Sequence, residues 1–294
     1  MSQHSAYTKS IFALFIGVFF TGISGIFIKS AAAPGAVTAF YRMAIGAFVL
    51  TPLFLYQLSN QKFILNREGI KYALIAGLCF GGDMVLWATG ITISNATLPT
   101  IMGNLAPLWV GLIALAFLKE RLKWHFWTGI LLATIGVFVI VHKNIGNADN
   151  VLLGILLGAG AGLFYAVFYV VTQIGRKHID TIPFLYLSTL GSAVVLAIYN
   201  LLAGNELLGY SNDTYFLFVV YGIGVQVVGW MFINYAQGYV KATIVSTILL
   251  GQPLVTAVIA ALFLAEVLTV YHYIGSAIVL GGIYVVQISR QKSR

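Results

Sequence analysis

Two stretches decide how this chain is read: residues 96–122, ATLPTIMGNLAPLWVGLIALAFLKERL, and residues 242–268, ATIVSTILLGQPLVTAVIAALFLAEVL. A shift of 146 residues lays one on the other without a gap. Ala96-Thr97 falls on Ala242-Thr243, Pro107-Leu108 on Pro253-Leu254, Phe117-Leu118 on Phe263-Leu264, Glu120 on Glu266 and Leu122 on Leu268. At the same shift Gly129 meets Gly275 and Gly136 meets Gly282. Leu and Ala coincide by chance in an apolar chain; proline, glutamate and two glycines in register do not. The chain therefore reads as two related halves, 1–148 and 149–294.

Both stretches are too apolar for a soluble fold, and so is the rest. Of the 294 residues 60% are hydrophobic and 8% charged, against roughly a quarter charged in a soluble domain. A helix needs roughly 20 apolar residues to cross the hydrocarbon core. Ten such runs follow one another, at 9–31, 36–57, 70–92, 96–118, 124–142, 151–174, 181–203, 214–236, 240–264 and 270–288. The expected fold is an all-α polytopic membrane protein with ten transmembrane helices. Each half holds five spans, an odd number, so the second half enters the membrane upside down. That is the inverted-topology repeat of secondary transporters, with the substrate site near the midplane.

Lys and Arg set the orientation, because cytoplasmic loops retain them. With the N-terminus inside, the cytoplasmic face receives Lys9, Lys62, Arg67, Lys71, Lys119, Arg121, Lys123, Arg176, Lys177, Lys241, Arg290, Lys292 and Arg294. The outer face receives only Lys29 and Lys143. Both termini are expected in the cytoplasm and the protein in a bacterial inner membrane. The run starting at Ile11 is long and lacks a small-residue cleavage site, so it reads as a first span rather than a signal peptide. The net charge of +8 sits in short clusters between apolar runs, not on the basic face that nucleic acid needs. The lone Cys79 allows no disulfide framework.

The two repeated stretches, with Gly129 to Gly136 and Gly275 to Gly282, resemble the drug/metabolite transporter superfamily, specifically its ten-helix EamA-type members. The likeness covers nearly the whole chain. It implies a basket of two five-helix repeats around a central cavity open alternately to either side, and an amino-acid exporter is among the better understood relatives. Val267 after Glu266, where Arg121 follows Glu120, departs from the first half and fits an outer loop.

A charge within the bilayer costs at least about 2.5–3.5 kcal/mol on insertion scales. Arg42 stands roughly 9 Å and Asp83 roughly 13 Å below the outer edge at 1.5 Å per residue. Overlapping depths suggest that they interact, directly or through substrate; the plainer reading is a permanent ion pair locking two helices. Burial favours the neutral form of Asp83 and a nearby Arg42 the charged form; protons act as coupling ion only if burial wins. Lys29 could reach a substrate carboxylate, though a lysine there commonly snorkels to headgroups.

Asp83, Trp87 and Gly90 share a helical stripe. Gln226, Trp230 and Asn234 repeat every four residues in the eighth span, and Tyr165, Tyr169 and Gln173 in the sixth. Polar groups so placed should face protein or water rather than lipid, so these stripes are candidates for the cavity wall. Tyrosines are often interfacial anchors instead. Pro107 and Pro253 each remove a backbone hydrogen bond inside a span, which frees carbonyls near Gly103 and Leu249 with Asn104 and Gln252 beside them. These prolines are expected as hinges, or simply as packing kinks. Gly154, Gly158 and Gly162 allow close helix approach, as a sliding surface or as static packing.

An intramembrane enzyme would need a metal cluster, a carboxylate dyad or a nucleophile with its base. The five histidines lie at termini or helix ends, and Asp83 is the one acid at mid-membrane depth, so neither catalysis nor a cofactor is expected. A channel would need rings of charge or a filter, which are missing. The expected function is a secondary transporter, an exporter, of a small zwitterionic metabolite such as an amino acid. The rival is efflux of cationic or amphipathic compounds with Asp83 as counter-charge.

Overall fold

The computed structural model describes residues 3–60, 66–94, 97–141, 150–263 and 269–291. Lys62, Ala96, Lys143, Glu266, Val267, Lys292 and Arg294 lie outside them, as do the side chains of Lys29 and Arg290. Every regular element among the described residues is a helix: α1 (Gln3–Gly22), α2 (Ser24–Ser30), α3 (Gly35–Ser59), α4 (Arg67–Ile93), α5 (Thr97–Gly103), α6 (Ala106–Ala116), α7 (Trp124–Val141), α8 (Val151–Gly175), α9 (Thr181–Leu202), α10 (Asn212–Tyr221), α11 (Trp230–Gln237), α12 (Ala242–Leu249), α13 (Gln252–Phe263) and α14 (Val270–Gln291). A π-helical stretch, Gly222–Gly229, joins α10 to α11.

Seven helical segments are long and apolar enough to cross a membrane. Three shorter apolar ones are Ala6–Gly22, Trp124–Ile140 and Val270–Val286. Large apolar side chains such as Phe48, Leu78, Leu131, Leu152, Ile198 and Leu201 stand exposed. A soluble protein does not tolerate so much exposed apolar surface, whereas lipid favours it. The chain is an all-α polytopic membrane protein.

The helices form two compact units that cut across the sequence halves: Met1–Val85 with Val171–Val240, and Leu86–Val170 with Lys241–Arg294. Each draws on both halves because a helix with a glycine or polar face buries it against a helix of the other half. Helices α4 and α8 run on from one unit into the other.

In the first unit, α3 packs on α9 and on the π-helical stretch, and α1 packs on α11. Glycines bring the backbones together. A Cβ on Gly77 would stand 2.6 Å from the Ser188 carbonyl oxygen, and in glycine's absence of one Ser192 Oγ donates to the Gly77 carbonyl at 2.9 Å. Asn200 donates to the Ala36 carbonyl at 3.1 Å, which ties α9 to the start of α3. At the corner after α8, Arg176 donates to the Asn234 carbonyl at 3.0 Å, to Thr181 Oγ1 at 2.7 Å and to the Ile179 carbonyl. Burial pulls its guanidinium below the usual arginine pKa, against the opposing charge of Asp180.

In the second unit, α7 packs along α14. Cβ atoms built on Gly129 and Gly136 would stand 2.8 and 2.7 Å from the carbonyl oxygens of Gly282 and Gly275. Gly129 pairs with Gly282 while Gly136 pairs with Gly275, so the helices run antiparallel. Each pair is also the other under the 146-residue shift, which is the self-complementary contact that a local twofold produces. Phe126, Ile130 and Val286 form a core beside it with Leu108, Leu122 and Trp127. Lys241, just before α12, pairs with Glu120 at 3.2 Å.

Prolines 107 and 253 do more than kink their spans. The first span stops at Gly103 and resumes at Ala106, and the second stops at Leu249 and resumes at Gln252. Each proline becomes the second residue of the new helix, a position that tolerates it, and the carbonyl four residues back, Gly103 or Leu249, gets no ladder donor from it.

Candidate functional site

The candidate residues divide between the units: Arg42, Asp83, Gln226, Trp230 and Asn234 fall in the first, and Trp87, Asn104, Tyr165, Tyr169 and Gln252 in the second, as do both prolines. Helix α4 passes from one unit to the other just after Val85, which parts Asp83 from Trp87.

Arg42 is the centre of the first group. It is 6% exposed on α3, and its Nη1 donates to Tyr221 Oη at 3.0 Å while Nη2 reaches Met84 Sδ at 3.4 Å. The rings of Phe80 and Tyr221 flank the guanidinium at 5.5 and 5.3 Å, an arrangement that stabilises a desolvated cation. Nε has no partner among the described residues. Half-buried Asp83 lies within the electrostatic reach of Arg42, but the guanidinium donors go to Tyr221 and Met84. A buried cation is thus met by a neutral hydroxyl, a soft sulfur and ring faces, with Nε left without a partner among the described residues.

The polar stripe of the eighth span faces protein. Gln226, Trp230 and Asn234 are 1%, 3% and 0% exposed. Gln226 lies in the π-helical stretch, donates from Nε2 to Thr189 Oγ1 at 2.9 Å, and keeps a buried Oε1 without a partner. Gly46 makes room for it, since a Cβ there would come within 2.6 Å of Gln226 Cγ. The Trp230 ring packs on Phe80 at 4.7 Å, and Asn234 donates to the Trp230 carbonyl at 3.1 Å. π-Helical insertions occur often at functional sites; here the insertion lies between Tyr221 and Trp230, so both ends of it touch the Arg42 group. Tyr221, Met84, Phe80 and Thr189 were not among the sequence candidates. Tyr221 was the readable one, a tyrosine in mid-span ahead of a glycine-rich run.

Most of the second group borders a small pocket lined by Gly103, Asn104, Pro107, Tyr165, Tyr169, Ser246, Leu249 and Gln252 among others; Trp87 and Pro253 are not among its lining residues. The four residues placed beside the two proline breaks from sequence all border it. The Tyr165 and Tyr169 rings pack at 4.5 Å, tilted by 44°, and Asn104 donates to the Thr100 carbonyl at 2.8 Å. Trp87 donates from its ring to Thr100 Oγ1 at 3.1 Å. Gly158 packs on Pro99 and Gly162 on Met102, each closer than a Cβ would allow, so these glycines seat α8 against α5. No lining residue of the pocket is charged, and no metal-binding group of His, Cys, Asp or Glu exists among the described residues.

Apolar helices, two interrupted spans beside an uncharged pocket and a buried arginine are features that a transport protein of the membrane would have. The EamA-like transporter family model matches the chain twice, over residues 8–142 and 152–288, and the chain belongs to that family, a branch of the drug/metabolite transporters. The uncharacterized transporter YdfC of Bacillus subtilis strain 168 is 22% identical over 83% of this chain and 79% of its own length. An S-adenosylmethionine uptake transporter of Rickettsia felis is 25% identical over 53% of this chain and 51% of its own. A crystal structure at 15% identity superposes with a TM-score of 0.80 over 98% of both chains, which speaks for the fold. The protein is a membrane transporter of a small molecule, not an enzyme.

Proposed function

We propose that this chain is a secondary transporter that exports a small carboxylate-bearing zwitterion, an amino acid or close relative, by alternating access. Ten helices cross the bacterial inner membrane as two inverted repeats, residues 1–148 and 149–294, with both termini in the cytoplasm. The three shorter apolar helices are near the lower limit of about 17 residues for a span and are counted as spans. The antiparallel, self-complementary contact of α7 with α14 supports the inversion.

The observation that carries the substrate class is Arg42. A buried guanidinium held by a hydroxyl, a thioether and two rings, with Nε unused, is a charge awaiting an anion. A substrate carboxylate satisfies it by charge-assisted hydrogen bonds. The Rickettsia felis relative, an S-adenosylmethionine uptake transporter, supports a cargo with an amino-acid part, though its cargo is taken up and the match spans half of each chain. The second reading, efflux of cationic or amphipathic compounds, draws on Asp83.

Competition by a metabolite panel in proteoliposomes separates the two readings. With a carboxylate-bearing cargo, Arg42→Gln abolishes competition by amino acids and Asp83→Asn leaves their binding in place. The reverse pattern, with cations losing their effect in Asp83→Asn, overturns the proposal.

A further inference from the structure

The pocket of the second unit holds a feature that Arg42 does not explain. Both spans bordering it are interrupted, and each interruption is acceptor-rich. Pro107 has no N–H for the Gly103 carbonyl, and Pro253 has none for the Leu249 carbonyl. The Leu108 amide, which would continue the ladder to Asn104, turns to the Leu105 carbonyl at 2.9 Å, where the Trp109 amide also points at 3.4 Å. The amides of Asn104 and Leu105 go to Thr100 and Met102 at 3.0 and 3.1 Å, and those of Leu250 and Gly251 to Thr247 and Ile248 at 3.1 and 3.0 Å. These donors are thus used, while the Gly103 and Leu249 carbonyls lose their ladder donor. Gly103, Asn104, Leu249 and Ser246 all border the same pocket; the Ser246 hydroxyl donates to the Thr243 carbonyl at 3.4 Å, which leaves its oxygen lone pairs to accept.

We propose that this pocket binds a small monovalent cation, a free Na⁺ ion or the ammonium end of the cargo, on the carbonyl oxygens released by the two broken helices. Carbonyl rings replace an ion's hydration shell in membrane proteins, and unwound backbone with half-helix C-termini serves the same purpose in transporters of other folds. A divalent ion is disfavoured because it takes carboxylate ligands, and none lines the pocket. An anion is disfavoured because the amides of Asn104, Leu105, Leu250 and Gly251 are already engaged and no cationic side chain lines the pocket. The inference goes beyond the Arg42 reading; its free-ion form does not need it, and its ammonium form rests on the zwitterionic cargo proposed above.

The test is thermal unfolding of the purified transporter in detergent, without metabolite, in NaCl, methylammonium chloride or choline chloride at constant ionic strength. A saturable rise in Tm with Na⁺ but not choline identifies a free-ion site, and a rise with methylammonium alone identifies the cargo's ammonium. Pro107→Ala and Pro253→Ala each return an N–H to a released carbonyl and weaken apparent cation affinity by about tenfold. Pro52→Ala, within α3, leaves it unchanged. Should the proline variants unfold, equilibrium binding of ²²Na⁺ or labelled methylammonium to Ser246→Ala is expected to fall several-fold. Equal Tm in all three salts, a cation effect that survives both Pro→Ala changes, or full binding by Ser246→Ala overturns the proposal. Loss of transport in Arg42→Gln with the cation effect intact counts for both readings separately.

Discussion

The two compact units handle buried polarity in opposite ways. In the first, helices stay joined and side chains carry the polar groups: Arg42 meets Tyr221, Gln226 meets Thr189, Asn200 meets a carbonyl of α3. In the second, no charged residue lines the pocket, and two helix breaks border it. The contrast follows from what each solution demands. A side-chain charge in low dielectric has to be held by close packing, which glycines such as Gly46 and Gly77 provide. Released carbonyls need open space beside them, and a Cβ on Gly103 would meet nothing within 4 Å.

The largest effect tests the charge. Arg42→Ala is expected to cost about 2–5 kcal/mol in affinity for a carboxylate-bearing cargo, read as a loss of proteoliposome transport. Arg42→Lys recovers little of it, because an ammonium does not reproduce the planar fork. Full transport by Arg42→Ala in a folded protein would remove the first unit's part in recognition.

Next in size is the packing difference. Gly77→Ala drives a methyl into the Ser188 carbonyl and is expected to destabilise by about 1–3 kcal/mol, the usual cost of overpacking. Gly103→Ala is expected to leave unfolding within about 0.5 kcal/mol of the parent. Equal losses in thermal melts would mean that the second unit is as tightly filled as the first. The smallest effect is at Lys241, half exposed and paired with Glu120. Lys241→Ala leaves the Glu120 side chain, 8% exposed, without its cation and is expected to cost about 1 kcal/mol, more than a fully exposed pair, and less in high salt.

Much of this contrast is legible in the sequence. The shift that pairs Pro107 with Pro253 locates both breaks, and the freed carbonyls near Gly103 and Leu249 point at the pocket the structure contains. The polar stripe of Gln226, Trp230 and Asn234 is readable because each residue is expensive in lipid. Three things are not. The division into units depends on which helices of opposite halves pack together, and periodicity within a half carries no such information. The π-helical stretch shifts the register between Tyr221 and Trp230, so a count by 3.6 misplaces Tyr221 relative to Arg42. The partners of Arg42 lie on α4 and α10, joined to it by tertiary packing alone.

The central claim is that equivalent positions of the two halves face opposite sides of the membrane. Ser59 and Asn205 are equivalent under the 146-residue shift. In a Cys79→Ser background, Ser59→Cys and Asn205→Cys are each treated in intact cells with a membrane-impermeant maleimide. The account predicts labelling of Asn205→Cys and protection of Ser59→Cys until the cells are permeabilised. Labelling of both from outside, or of neither, would contradict it.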